Sequence, residues 1–85
     1  MGVVTSTLYK GYWLTPMQIK VWGLIAEGLT NKQICDRLVL TYNTIRAHVY
    51  ALYERLGLHD DEPATRGRAI ALFYQADQPG GARVV

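Results

Sequence analysis

Asn43, Arg46, Ala47 and Tyr50 fall within the stretch N-T-I-R-A-H-V-Y. Set Ile45 at 0° on a helical wheel and advance about 100° per residue; Val49, Leu52 and Leu56 then lie within about 40° of it. Asn43, Arg46, Ala47, Tyr50 and Glu54 fall on the other side, about 100–200° away. The outward stripe thus carries a forked cationic donor, an amide, a phenol and one small side chain. Such groups suit base edges in a major groove, where arginine pairs with guanine O6 and N7, asparagine with adenine, and alanine meets a thymine methyl. A solvated helix face also turns polar residues outward, so the pattern alone leaves both readings open.

The flanks carry groups of a second kind. Thr44, His48 and Arg55 project to one side of the stripe, Tyr42 and Tyr53 to the other. Hydroxyls and cations beside such a stripe suit phosphate oxygens. Thr30, Asn31 and Lys32 open the preceding helix, adding backbone N–H groups and a cation, although capping is part of what Thr30 does there. His48 is expected to be half-buried against that helix, with a ring nitrogen available to a phosphate. Cys35 reads as a small core hydrophobe rather than a redox sensor.

These residues need helices to hold them. Thr15-Pro16-Met17-Gln18 predicts a capped start for a first helix, which runs to about Glu27 with Gly28 as its stop. Its inward stripe is Met17, Val21, Leu24 and Ile25. Thr30 to Gln33 repeats the Thr-x-x-Gln box and opens a short helix ending near Leu38, with Ile34, Cys35 and Leu38 turned inward. Thr41 caps a third helix through Leu56, stopped by Gly57. A short helix joined to a longer one by a tight turn is the helix-turn-helix arrangement.

A fourth helix is expected from about Thr65 to Gln75. Ile70, Phe73 and Tyr74 share a face that seals the core, while Ala69, Leu72 and Ala76 share another. A helix apolar on two sides needs a second partner. The second face therefore predicts a weak homodimer. The domain spans residues 14–76, preceded by an arm over 1–13 and followed by a flexible tail over 77–85. The arm shows no clear period and reads as a short strand, a packed strap or loose chain. Ile19 projects about 160° from the inward stripe of the first helix, and Tyr12 or Trp13 is expected to fold over it.

Composition bounds the function. The 85 residues make one domain, 49% of them hydrophobic, enough for one core. A single cysteine excludes an internal disulfide, and His48 and His59 have no thiol partner at metal-ligand spacing, so neither metal nor cofactor is expected. The chain carries no GxSxG, phosphate loop or carboxylate pair, and no enzyme is expected. It shows neither a signal peptide nor a run of the roughly 20 apolar residues a membrane span needs. A cytoplasmic setting of bacterial or phage type, on the nucleoid when bound, follows. The net charge is only +2, which permits nucleic-acid binding without demanding it.

Leu14 to Leu58 resembles the LuxR/GerE-type helix-turn-helix family. The matching residues are Leu14-Thr15-Pro16, Val21, Ala26-Glu27-Gly28, Asn31-Lys32-Gln33-Ile34, Leu38, Thr44-Ile45-Arg46, His48-Val49 and Leu56-Gly57-Leu58. The resemblance implies an all-α, four-helix domain with its third helix in the major groove of double-stranded DNA. It implies base contacts at Arg46, Ala47 and Tyr50, phosphate contacts near Lys32, Thr44 and Arg55, and a dimer contact on the fourth helix. The chain departs from the family at Met17-Gln18, where an Arg-Glu pair is usual, and at Tyr50, where a basic residue is common. It also carries about five extra residues after Gly57 and only the short arm in front. The reading is a DNA-binding transcriptional regulator. Its alternatives are a module of the same fold that binds another regulator or a polymerase, and a promoter-binding fragment like that of a sigma factor.

Overall fold

Three threonines set where the helices begin. In the computed structural model, which describes residues 5–59 and 63–76, Thr15 Oγ1 accepts from the Gln18 N–H and Gln18 Oε1 accepts from the Thr15 N–H. Thr30 and Gln33 make the same reciprocal pair, and Thr41 Oγ1 accepts from the Thr44 N–H. These caps open α1 (Pro16–Ala26), α2 (Asn31–Leu38) and α3 (Tyr42–Leu56), and α4 follows at Pro63–Ala76. Each satisfies a donor that the first helical turn leaves orphaned.

Two helices stop on left-handed glycines, α1 at Gly28 and α3 at Gly57. The stop of α2 is different. Val39 takes φ 56°, ψ 52° with its side chain 86% exposed. A β-branched residue in this region costs about 1–2 kcal/mol, so the tight turn between α2 and α3 is held against local strain.

The arm adds strands to the four helices. β1 (Thr7–Tyr9) pairs antiparallel with β2 (Tyr12–Leu14), closed by the two-residue turn Lys10-Gly11. Both turn residues have positive φ, the geometry that matches the twist of a two-residue hairpin. Leu14 is wholly buried, Tyr9 and Tyr12 point toward the core, and Leu8 and Trp13 form an exposed cross-strand pair.

The core forms around α1, which is buried on two sides. Val21, Leu24 and Ile25 are buried as their spacing predicts, together with Ile34 of α2 and Ile45, Val49, Leu52 and Leu56 of α3. Trp22, absent from that predicted stripe, is also wholly buried. It faces the hairpin and α4, meeting Tyr9, Tyr12 and Phe73 edge-on at centroid distances of 6.1, 5.7 and 5.3 Å. Its Nε1 donates to the Ala69 carbonyl at 2.9 Å. Ile19, beside Trp22 on this second face, is half-buried against the core. Tyr12 therefore does the covering expected of the arm, whereas Trp13, at 57% exposure, does not.

The Trp22 contact also corrects the orientation of α4. Ala69 was expected on a partner-facing side but is wholly buried, because its small side chain lets α4 approach the indole closely. Thr65 and Ala69 face inward, with Ile70, Leu72 and Phe73 partly buried beside them. Tyr74 is half-exposed, and its hydroxyl donates to the Ala26 carbonyl at 3.1 Å. The expected tail over 77–85 and the residues at 60–62 lie outside the described residues.

Removing Tyr12 from this cluster tests the packing of the arm. Tyr12→Ala should lower unfolding free energy by about 2 kcal/mol, a half-buried ring's worth of area and edge contact. Denaturant unfolding followed by Trp22 fluorescence reads the loss. A midpoint equal to the parent's would mean that the hairpin adds nothing to the core.

Candidate nucleic-acid interface

α3 keeps its apolar residues inward and leaves the opposite face to solvent. Asn43, Arg46, Ala47 and Tyr50 are all exposed, Tyr50 at 40%. The capped start and glycine stop fix the length of α3, and the buried Ile45–Val49–Leu52–Leu56 face fixes its rotation. Those four side chains are therefore presented together on a rigid element.

The stripe has internal order. Arg46 Nη2 donates to the Tyr50 hydroxyl at 2.7 Å, and the guanidinium lies 5.3 Å from the Tyr50 ring centroid and 6.0 Å from that of Tyr42. Residues 42, 46 and 50 are successive turns along one helix edge, where side chains four apart meet. Aromatic rings on both sides of a guanidinium hold it by cation–π attraction. That i, i+4, i+8 spacing was visible in the sequence as a pairing signal, separate from the polarity of the stripe.

The flanking residues divide. Thr44 is exposed, and its hydroxyl accepts from that of Thr41 at 2.8 Å. His48 is half-buried, and Tyr42, Lys32 and Arg55 are exposed. Tyr53, expected beside Tyr42, is instead buried at 1% exposure, its ring extending the core face of α3. Thr30 is exposed but engaged as a cap. Asn31 is half-buried, and its Oδ1 accepts from Arg66 Nη1 at 3.0 Å.

Arg66 was not among the expected site residues. Its Nη2 donates to the Leu29 carbonyl at 2.8 Å, so one guanidinium on α4 grips both the end of the α1–α2 connection and the first residue of α2. It brings a positive charge to the helix start where Lys32 also lies. No sequence signal distinguishes it from Arg68 two residues on, since the acceptors belong to segments more than thirty positions away.

Among the described residues no cluster of His, Cys, Asp and Glu could hold a metal ion, and no helix is long and apolar enough to cross a membrane. Residues 13–66 match the family described as bacterial regulatory proteins, luxR family. The chain is similar to the DNA-binding transcriptional activator DevR/DosR of Mycobacterium tuberculosis, 37% identical over 68 residues, 80% of this chain and 30% of that protein. It is similar to a putative HTH-type transcriptional regulator of Mycobacterium bovis, 41% identical over 59 residues, 64% of this chain and 7% of that protein. A third relative is the Fimbriae Z protein of Escherichia coli, 37% identical over 46 residues, 54% of this chain and 22% of that protein. The chain thus spans less than a third of the length of each of these relatives.

The Arg66 grip has a measurable consequence. Arg66→Ala should cost about 1–2 kcal/mol of stability, since it strips a charged donor from a backbone carbonyl and an amide oxygen. It should also raise hydrogen exchange at the first turn of α2 more than in α3. Uniform exchange changes across both helices would show that Arg66 does not hold the α2 start in particular.

Proposed function

The chain belongs to the luxR family of bacterial regulatory proteins, and from that premise we propose that it binds double-stranded DNA as a sequence-specific transcription regulator. Its family is one of regulators, not enzymes. In this reading α3 enters the major groove and Asn43, Arg46, Ala47 and Tyr50 meet base edges. Lys32, Thr44, His48, Arg55 and the α2 start (Thr30, Asn31), with Tyr42 beside them, meet phosphates. The observation that carries it is the single exposed polar face of α3, held in fixed rotation by a fully apolar opposite face. A groove helix needs that rigidity, because hydrogen bonds to bases tolerate little displacement. A DNA target implies a site of action in the bacterial cytoplasm.

The second part of the proposal is a homodimer through α4, on a face shifted from the one the sequence suggested. Ala69 is committed to the core, while Leu72 keeps part of its surface and lines a shallow apolar depression with Leu58, Ala71 and the stems of Arg68 and Gln75. Ala76 is the last residue of α4, and its side chain lies outside what the structure describes. Two copies meeting there about a two-fold axis would present two groove helices to successive half-sites. One helix face buries too little area for a tight free dimer, so association is expected at micromolar concentration or above.

A protein partner is the second reading, favoured by one observation. Leu8 and Trp13, paired across the hairpin and each 57% exposed, make an exposed apolar spot.

Two pairs of measurements test the proposal. After selection of a preferred duplex from a random pool, Arg46→Ala should cost about 1–3 kcal/mol on that duplex and relax preference at one base pair. Lys32→Ala should instead weaken preferred and random duplexes alike and reduce the salt slope by about one unit. Retained base preference in Arg46→Ala would remove α3 from the groove. For the dimer, Ala71→Glu places a charge at an exposed position without touching the core. Cooperative binding to two half-sites should vanish while the unfolding midpoint holds; sedimentation and cooperativity identical to the parent's would put the dimer contact elsewhere.

A further inference from the structure

We propose that Tyr50 is a positioning residue for Arg46, and that the two side chains form one preassembled donor unit reading two adjacent bases. The inference rests on the groove reading of α3 and deepens it.

In the unbound chain the Arg46 guanidinium is already fastened. Tyr50 accepts from its Nη2 at 2.7 Å, and the rings of Tyr50 and Tyr42 flank it at 5.3 and 6.0 Å. A free surface arginine surrenders most of its rotamer freedom when it docks, and that loss opposes binding. Here the helix itself supplies the restraint before any partner arrives. The guanidinium is planar with five N–H donors, so a bond from Nη2 to one phenol is compatible with a fork presented to a guanine. A lysine or arginine at position 50 would repel the Arg46 charge; a tyrosine attracts it and orients it.

The hydroxyl that accepts from Arg46 keeps its own proton. A hydroxyl accepting from a cation is polarised toward donation, because hydrogen bonds in a chain strengthen one another. The Tyr50 O–H is therefore a strengthened donor beside the fork, and its oxygen a weakened acceptor. The complementary ligand is a guanine, offering O6 and N7 to Arg46, followed on the same strand by a base with a major-groove acceptor: a purine N7 or thymine O4. Cytosine at the second position offers an N4 donor and is disfavoured. Tyr42 closes the other side of the guanidinium and keeps the fork over Tyr50.

The test is a double-mutant cycle on the selected duplex, its single-base variants and a random duplex, using the parent, Tyr50→Phe, Arg46→Ala and the double variant. Position 50 is exposed and phenylalanine keeps the ring, so the fold is retained, with circular dichroism as the check. Tyr50→Phe should reduce preference for guanine at the Arg46 position by about five- to tenfold, the worth of one partly exposed charged hydrogen bond. It should also level the preference at the neighbouring base. In the Arg46→Ala background the same change should alter guanine preference less than about twofold. Additive effects, or guanine preference that survives Tyr50→Phe, would overturn the unit while leaving α3 in the groove. A parent that binds random duplex yet selects no sequence would overturn the groove reading and this inference with it.

Discussion

The hydrogen bond from Trp22 Nε1 to the Ala69 carbonyl is the contact on which the remaining arrangement turns. An indole N–H buried without a partner would cancel much of what burying the ring gains, so Trp22 is best placed in the core where a carbonyl meets it. That carbonyl belongs to α4, which the bond and the small Ala69 side chain bring close to α1. Once α4 is fixed there, Arg66, one turn before Ala69, reaches Leu29 and Asn31 and holds the start of α2. The hairpin closes the remaining side of the indole through Tyr9 and Tyr12, with Lys10 Nζ lying 4.5 Å over the Phe73 ring. One aromatic residue on the second face of α1 thereby positions the hairpin, α4 and, through Arg66, the edge of the candidate interface.

What was legible in the sequence was local. A Thr-x-x-Gln box is read within four residues, and both boxes form with the predicted donors and acceptors. The two faces of α3 follow from a 3.6-residue period over fifteen positions, and the burial of that helix agrees with it. The unread features depend on partners distant in the chain. Strands of three residues are too short to establish an alternation, and the hairpin turn uses Lys10 at a left-handed position where Asn or Asp is the usual signal. The large apolar residues of α4 suggest a core face different from the one the structure buries. Closest approach instead selects a small side chain, and Ala69 is the most completely buried residue of α4. For the candidate site, the outward stripe was readable from periodicity, whereas the removal of Tyr53 into the core and the reach of Arg66 to Asn31 were not.

The turn between α2 and α3 shows a conflict between local preference and global geometry. Val39 adopts a conformation suited to glycine or asparagine and gains no burial in return. Its backbone nevertheless ends α2 within one residue, its N–H bonding the Cys35 carbonyl, and delivers the chain to the Thr41 cap. A relaxed extended residue there would send α3 away from α2 and separate Lys32 from the outward stripe. The strain is sustained by packing on either side: Ile34 and Leu38 before the turn, Leu40 and Ile45 after it.

Charge then limits what kind of recognition this surface can perform. Between residues 29 and 58 the cations are Lys32, Arg37, Arg46 and Arg55, set against Asp36 and Glu54. Of the arginines on or near the interface, Arg66 is committed to Asn31 and Leu29, and Arg46 lies against Tyr50 and Tyr42. Few solvated cations remain to release counterions from a phosphate backbone, so a non-specific attraction to DNA would be small and only shallowly dependent on salt. A domain with so little general attraction gains discrimination by a different route. In the proposed reading it recovers affinity from well-placed hydrogen bonds at the base edges and from the combined hold of two copies on one duplex. In that reading both demands fall on rigidity rather than on charge: the first on the restrained guanidinium of α3, the second on the Trp22 contact that holds α4.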